Sequence, residues 1–273
     1  MLERLELIRL QPAAVVDVGC GLGHGAARLQ QHYPGAEVVG VDLAATLAAR
    51  AATLHGGVAR DGLADRMRRW FGGEPASRAA APVFAAADAA SLPLRAASVD
   101  LIWSNLAWHW FSDPLAVLDE WYRVIRPGGL LMFSAFGVDT LRELRPAGAQ
   151  LPDFPDMHDI GDALGRAGFA DPVMDSERLT ITWESAATLL DELASLGGNP
   201  LRARTRGLAG RARRSQWLAA LEAIRPDGGP IALSFELVFG HAWCPASKPR
   251  SDGYSPITFS PTVAPRGRTG RKT

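Results

Sequence analysis

Short apolar runs alternate with helical repeats through the first half of the chain. Ala14–Gly19 (AVVDVG) is a β-branched run closed by glycine, and Ala26–His32 after it has helical character. Glu37–Asp42 (EVVGVD) reads as a second strand, and Ala/Leu-rich Leu43–Leu54 as a helix. Val83–Ala87, Val99–Ser104 (VDLIWS) and Leu130–Phe136 (LLMFSAF) read as three further strands. Between the last two, Leu115, Leu118, Trp121, Tyr122 and Ile125 recur at helical spacing across Pro114–Ile125. Arg126-Pro127-Gly128-Gly129 then stops that helix and turns the chain. Strands that alternate with helices predict a parallel sheet covered on both faces, an α/β fold.

The second half departs from this rhythm. Arg178–Trp183 (RLTITW) and Ile231–Phe239 (IALSFELVF) are strand candidates that can pair antiparallel at the sheet edge. Glu184–Gly229 between them is helical in pattern and is expected to lie over the strand ends as a cap. The reading is therefore one domain from 1–183 and 230–244, with a helical cap insertion at 184–229. From 245 to 273 five prolines and six basic residues stand against one acid, Asp252, so a disordered basic tail is expected. Before the third strand, 56–81 reads as a loop with a short helix carrying Arg66, Arg68 and Arg69.

Composition narrows the function classes. The chain has 273 residues, 47% hydrophobic and 21% charged, which is ordinary for a soluble protein. Its formal net charge is zero, which argues against a general polyanion binder. The two cysteines, Cys20 and Cys244, lie far apart, against a disulfide framework or a cysteine-based metal centre; no metal is expected. No apolar run reaches the ~18 residues of a membrane helix and no signal segment opens the chain, so a cytoplasmic protein is expected.

The candidate chemistry sits at the strand ends. Val15-Val16-Asp17-Val18-Gly19-Cys20-Gly21-Leu22-Gly23 is a strand running into G-x-G-x-G ahead of a helix. Glycines there let the backbone bend sharply and approach a ligand that a Cβ would push away. With Gly25 the spacing is G-x-G-x-G-x-G, not the G-x-G-x-x-G that holds a pyrophosphate on a helix N-terminus. Asp17 beside this turn disfavours a pyrophosphate and suits a cationic guest, such as an adenosyl sulfonium with an α-amino group. Asp42 closes the second strand, where an acid accepts from both hydroxyls of a ribose. Asp88 follows the third strand in Ala87-Asp88-Ala89-Ala90 and can take an adenine amino group. Ser104-Asn105-Leu106 ends the fourth, at the carboxyl edge where such sheets bind ligands. Singly, each acid is as well explained as a turn acid or helix cap; in this order they describe one nucleoside site. The expected cofactor contacts are Asp17, Gly19, Cys20, Gly21, Gly23, Asp42, Leu43, Asp88, Ala89, Asn105, Leu106 and Trp110. Of the clustered Trp103, Trp108, Trp110 and Trp121, most are expected in the core.

These stretches resemble the S-adenosylmethionine-dependent methyltransferases of the seven-stranded Rossmann-like class. VVDVGCGLG is similar to their first motif, VVGVD to their second, ADAASLPL with VDLIWSN to their adenine-side motifs, and IRPGGLLMFS to the passage into the fifth strand. A narrower resemblance is to the malonyl-acyl-carrier-protein O-methyltransferases of biotin synthesis. Ser104–Trp110 (SNLAWHW) is similar to their SNLALQW, and Phe133–Gly137 with Asp139–Arg145 to their FST-x-G-x-x-TL-x-EL. Phe235–Trp243 (FELVFGHAW) is similar to their E-V-x-x-GHAW. A mitochondrial complex I assembly factor thought to hydroxylate an arginine shares the later motifs, so an arginine hydroxylase, another small-molecule methyltransferase and a non-catalytic assembly factor are the alternatives. The sequence departs from the family in having only Met1–Pro12 before the first strand, where about thirty lid-forming residues are usual; a later start or a less complete lid is expected. Phe154–Asp159 also stands where many members have a His-x-Asn run.

The resemblance implies transfer of a methyl group to a malonyl carboxylate. That acceptor is already ionised at neutral pH, so a cation to orient it is required and a general base is not. Arg145 is the first candidate and Arg142 the second, because the planar guanidinium fork matches a carboxylate. His158 and His109 are candidates for lining the acceptor pocket. The family's substrate is carried on acidic acyl-carrier protein. Arg202, Arg204, Arg206, Arg211, Arg213 and Arg214 in the cap candidate can meet it electrostatically. No aromatic residues interleave with them, which argues against nucleic acid.

Overall fold

The computed structural model describes residues 1–56, 81–146, 151–195, 211–226 and 229–246. The loop expected at 56–81 lies almost wholly outside these residues, as do Arg202, Arg204, Arg206 and the tail from residue 247.

Seven strands form one sheet: β1 (Ala14–Val18), β2 (Glu37–Asp42), β3 (Val83–Ala86), β4 (Val99–Asn105), β5 (Ile125–Phe136), β6 (Ala170–Trp183) and β7 (Ile231–Trp243). Their order is β3-β2-β1-β4-β5-β7-β6. The first five strands run parallel, and β7 is antiparallel to both β5 and β6. The helices are α1 (Leu2–Glu6), α2 (His24–His32), α3 (Ala45–His55), α4 (Pro114–Val124), α5 (Met157–Arg166), α6 (Ala186–Ser195) and α7 (Arg211–Ala223). Single 3-10 turns cover Trp108–Trp110 and Arg142–Leu144.

Alternation within the central strands divides the core between two faces. Val16, Val18, Val39, Ile102, Leu131 and Phe133 pack with Leu118 and Trp121 of α4 and Ile160 and Leu164 of α5. Their neighbours Val15, Val38, Leu101, Trp103, Leu130 and Met132 pack with Leu5 of α1, Leu29 of α2 and Ala51 of α3. Both faces are therefore apolar, as a parallel sheet between helix layers requires. Asp113 caps α4 by accepting from the Ala116 amide at 3.1 Å, with Pro114 at the first helical position. Trp103, Trp108 and Trp121 are core residues, whereas Trp110 is 49% exposed.

Three boundaries differ from the pattern. The Arg126–Gly129 stretch does not separate helix from strand: β5 begins at Ile125, and the register shifts between Val99 and Leu101, with Gly128 at φ 79°. Strand β6 begins eight residues before Arg178, at Ala170. It is an edge strand exposed on both faces, so Asp175, Ser176 and Glu177 carry no apolar alternation to reveal it. Strand β7 runs through Gly240 to Trp243 because Gly240 lies over the Phe133 ring, where a Cβ would sit 2.3 Å away.

The register also sets where 184–229 leaves the sheet. Phe136, the last residue of β5, pairs with Leu237, while Arg178–Trp183 and Ile231–Glu236 continue pairing beyond it. At ~3.3 Å per residue this two-stranded ribbon overhangs the carboxyl edge by about 20 Å. Helices α6 and α7 pack along it, to its far end, through Trp183, Leu189, Leu221, Ile231, Leu233 and Phe235.

Candidate active site

The carboxyl edge of β1, β2 and β4 is built around the Gly19–Gly23 turn. The amides of Gly19 and Cys20 both donate to the Val41 carbonyl, at 2.8 and 3.0 Å, which ties the turn to β2. Gly19, Gly21 and Gly23 all have positive φ. Their surroundings separate their roles. A Cβ at Gly19 would lie 2.5 Å from the Ala107 Cβ, and one at Gly23 would lie 2.6 Å from the Phe84 ring. Of the three, Gly21 alone faces open space, with nothing within 4 Å. Two of the glycines thus serve close packing of the protein on itself, and the third leaves the approach to the turn clear. Cys20 presents backbone at the turn; its thiol is buried and its pKa is pushed up by burial, with Asp17 and Asp42 adding to the effect.

Asp42 is the keystone of the turn. Its Oδ2 accepts from the Gly21 amide and its Oδ1 from the Ala44 amide, both at 2.9 Å. One lone pair on each oxygen is thereby used, and the side chain remains half-exposed toward the cleft. Next to it Leu43 is 76% exposed. Asp88 is exposed, with its Oδ1 bonded to the Ala90 amide at 2.9 Å, and Ala89 lies within that tight turn.

Asp17 behaves differently from the expectation of a plain negative charge. It is 2% exposed, beneath the helix start, where a Cβ on Gly25 would meet its Oδ2 at 2.7 Å. Its Oδ2 has no hydrogen-bond partner among the described residues. Burial raises its pKa to about 7, against a lowering hydrogen bond from the Ala26 amide, with the charge of Asp42 raising it further. Near neutral pH the carboxyl is therefore divided between its two forms, and a cation above it would favour the ionised one. This also explains Gly25, whose helical conformation is ordinary: its missing side chain makes room for the carboxyl.

On β4, Ser104 donates to the Val18 carbonyl at 2.9 Å, and Ser134 donates to Asn105 Oδ1 at 2.7 Å. Ser134 also accepts from the Leu106 amide at 3.0 Å, holding Leu106 at φ 52°. These bonds tie Asn105 and Leu106 to β5 and Ser104 to β1, at the carboxyl edge where β1 and β4 lie side by side. Strand order reverses at this point, and open α/β sheets bind ligands there.

At the same edge lies an aromatic group. His109 stands 5.3 Å from Trp110, 5.2 Å from Phe136 and 6.3 Å from Phe154, by ring centroid. Phe136 in turn meets Phe154 at 5.7 Å and Phe235 at 6.2 Å. Burial lowers the His109 pKa, so the ring is neutral at physiological pH.

The segment after β5 is clasped to the ribbon. Thr140 Oγ1 donates to the Glu236 carbonyl and accepts from its amide, both at 3.1 Å. Glu143 accepts from the Ser234 hydroxyl at 2.6 Å and from its amide at 3.0 Å. Burial pushes the Glu143 pKa up, but the two Ser234 bonds, its own amide and Arg142 together outweigh it and hold the group below its ordinary value. Glu236 Oε2 accepts from the Asp139 amide at 2.9 Å. Thr140, Glu143 and Glu236, all from family-like motifs, hold the segment after β5 in place.

The arginine candidates differ. Arg142 is committed to Asp139 at 3.4 Å and Glu143 at 3.3 Å, and Asp139 is shared with Arg178. Arg145 donates to the Val138 carbonyl at 2.9 Å and forms no ion pair among the described residues. It follows Leu144, which packs with Phe136 and Phe235. His158 is not brought to the aromatic group: its side chain is 79% exposed and bonded to Asp156, at the start of α5. Arg211, Arg213 and Arg214 fall on α7, and Arg214 pairs with Asp191 at 3.1 Å. Sequence reasoning named His109 but missed Phe136, Phe154 and Phe235 as its companions, because they come from three separate segments.

A seven-stranded sheet with β7 inserted antiparallel, a glycine turn and an acid closing β2 define the Rossmann-like methyltransferase class. Residues 16–133 match the model of the methyltransferase domain family. The fold is similar to that of the YcgJ protein of Bacillus subtilis, with a TM-score of 0.60 and 19% identity over 89% of this chain and 97% of that one. It is also similar to a phosphoethanolamine N-methyltransferase of Haemonchus contortus solved with S-adenosylhomocysteine, with a TM-score of 0.53 and 19% identity over 89% of this chain and 52% of that one. The malonyl-[acyl-carrier protein] O-methyltransferase of Laribacter hongkongensis is 43% identical over 96% of this chain and 86% of its own. That of Gallionella capsiferriformans is 41% identical over 95% and 87%. The chain belongs to the malonyl-[acyl-carrier protein] O-methyltransferase family. Among the described residues no helix is long and apolar enough to cross a membrane.

Proposed function

We propose that this protein is an S-adenosylmethionine-dependent O-methyltransferase that esterifies the free carboxylate of malonyl-acyl-carrier protein in biotin synthesis. The observation that carries this reading is the extent of the family likeness. It covers 96% of the chain, well past the 16–133 stretch of the methyltransferase domain, and so includes the clasped acceptor segment.

The residues present fit the cofactor. The buried, unpartnered Asp17 Oδ2 calls for a cation nearby, and the open face of Gly21 leaves room for one. When bound, S-adenosylmethionine supplies an electrophilic methyl group on a sulfonium. Asp42, fixed by two amides, offers its remaining lone pairs to the ribose hydroxyls. Asp88 and Ala89 serve the adenine edge, and exposed Leu43 the adenine face. Gly19, Cys20 and Gly23 shape the turn, while Asn105, Leu106 and Trp110 border the sulfonium end.

Displacement at a methyl carbon requires the nucleophile in line and ~3–3.5 Å from it. The malonyl carboxylate, with a pKa of roughly 4, arrives ionised, so the chain need not remove a proton. Its task is orientation and exclusion of water. Arg145, free of ion pairs among the described residues, orients the carboxylate, and Arg142 holds the segment through Asp139 and Glu143. His158, exposed and bonded to Asp156, is left without a role at the acceptor. The cap helices α6 and α7 overhang this edge, and the arginines from Arg202 to Arg214 steer the acidic carrier protein toward it.

The test is incubation of purified protein with methyl-labelled S-adenosylmethionine and malonyl-carrier protein. A base-labile methyl ester on the malonyl group is expected. Label on none of several malonyl thioesters, or an acceptor mass gain of one oxygen, would reject the proposal. Calorimetry with S-adenosylhomocysteine separates an active fold from a non-catalytic assembly factor, which would give no heat.

A further inference from the structure

The aromatic group across the switch point holds a polar side chain that the proposed reaction does not yet use. His109 lies on the 3-10 turn that follows β4, beside Phe136 at the end of β5 and Phe154 of the segment before α5. These rings stand on the β5 side of the switch point, whereas Asp42 and Asp88 stand on the β2 and β3 side. The acceptor therefore meets the sulfonium end on this side, beside Trp110. His109 Nδ1 is enclosed and has no partner among the described residues. An orphaned acceptor nitrogen is tolerated more readily than an orphaned N–H, so the proton belongs on Nε2. That nitrogen is not among the enclosed atoms and makes no hydrogen bond to the described residues.

We propose that His109 is an acceptor-binding residue: its Nε2–H donates to the thioester carbonyl of the malonyl group, beside the rings of Trp110, Phe136 and Phe154. This rests on the methyltransferase reading above. A malonyl thioester carries two oxygen functions of different character. Its carboxylate needs a cation and some water-like polarity, which Arg145 at the rim supplies. Its thioester carbonyl is uncharged and flat, and suits an aromatic surface with one neutral donor. Burial keeps His109 uncharged, so it does not compete with Arg145 for the carboxylate. With each function held by its own partner, the malonyl group is fixed at two points and its carboxylate is held in one place for methylation.

Two acceptors separate this role from a structural one: malonyl-carrier protein, and carrier protein bearing a carboxyethyl thioether, which keeps the carboxylate but lacks the carbonyl. The wild-type protein should favour the malonyl acceptor in kcat/KM. H109F and H109L should each lose about threefold to tenfold on the malonyl acceptor and nothing on the thioether, with unchanged affinity for S-adenosylhomocysteine. H109Q, which keeps an N–H donor, should recover most of the loss. Equal losses of H109L on both acceptors, or no loss on either, would overturn the assignment while leaving the methyltransferase reading intact. If the wild-type protein esterifies neither acceptor, both fall together.

Discussion

Replacing Asp17 by asparagine tests the electrostatics of the cofactor turn directly. Native Asp17 is buried and titrates at about 7, against 3.8 for the ordinary group. Its native pKa lies above its unfolded one, so the folded state holds this proton more tightly. Stability from the group is greatest in acid and declines as the pH climbs through the interval between the two values. From about pH 5 to about pH 8.5 the native protein gives up a proton that the unfolded chain has already lost, a difference of about 3 kcal/mol. The amide that D17N introduces does not titrate. It packs against Gly25 without a partner, but that cost is the same at every pH. Urea unfolding followed by tryptophan fluorescence at several pH values should therefore give diverging curves. Wild-type protein should lose about 3 kcal/mol relative to D17N across that interval, and saturating S-adenosylmethionine should reduce the divergence by supplying a cation. Parallel curves would refute the reasoning, since they would mean that Asp17 is ionised throughout at no cost.

Other substitutions probe neighbouring parts. G19A places a Cβ 2.5 Å from Ala107 at a φ of 73° and should lower the melting temperature and abolish S-adenosylhomocysteine binding in calorimetry. D42A removes the acceptor of two turn amides and should weaken that binding about a hundredfold, or about 3 kcal/mol. R145A should reduce kcat/KM for malonyl-carrier protein by about tenfold to a hundredfold without changing cofactor affinity, and R145K should not restore it because an ammonium lacks the fork. E143Q should destabilise the clasp to Ser234. Since the Glu143 pKa is lowered in the fold, the wild-type advantage should be present at neutral pH and fade in acid as the carboxyl is protonated, measured by the same urea titrations.

The parallel half of the fold was legible because its strands are buried on both faces and punctuated by glycine. Val15–Val18 and Val38–Val41 are nearly unbroken apolar runs, and their ends carry the chemistry. The antiparallel half was only partly legible. Strand β6 is wet on both faces, so Asp171–Glu177 look like loop until β7 is seen to pair with them. The glycine turn was readable as a turn but not as a division of labour. That Gly19 yields to Ala107 and Gly23 to Phe84 depends on residues tens of positions away. Likewise Asp17 reads as a charge in sequence, and only its burial under Gly25 shows that the charge is conditional.

The topology itself separates the two substrates. Parallel strands all end at one edge, so on the proposed reading a nucleoside laid across β1, β2 and β3, with its sulfonium end at β4, leaves the β5 side to the acceptor. An edge strand added in parallel would need a crossover back to the amino edge before returning. Inserting β7 antiparallel instead starts it at the carboxyl edge, so the chain between β6 and β7 emerges directly above the acceptor side. Thr140 and Glu143 then tie the post-β5 segment to Glu236 and Ser234, in the first half of β7. Any shift of the ribbon would move Arg142–Arg145 with it. Acceptor recognition is thereby coupled to the antiparallel addition, while the cofactor half is held by its own bonds among Val41, Asp42 and the glycine turn. That separation explains how one half of the sheet can keep a single cofactor while the other is reshaped for a carrier-bound acid.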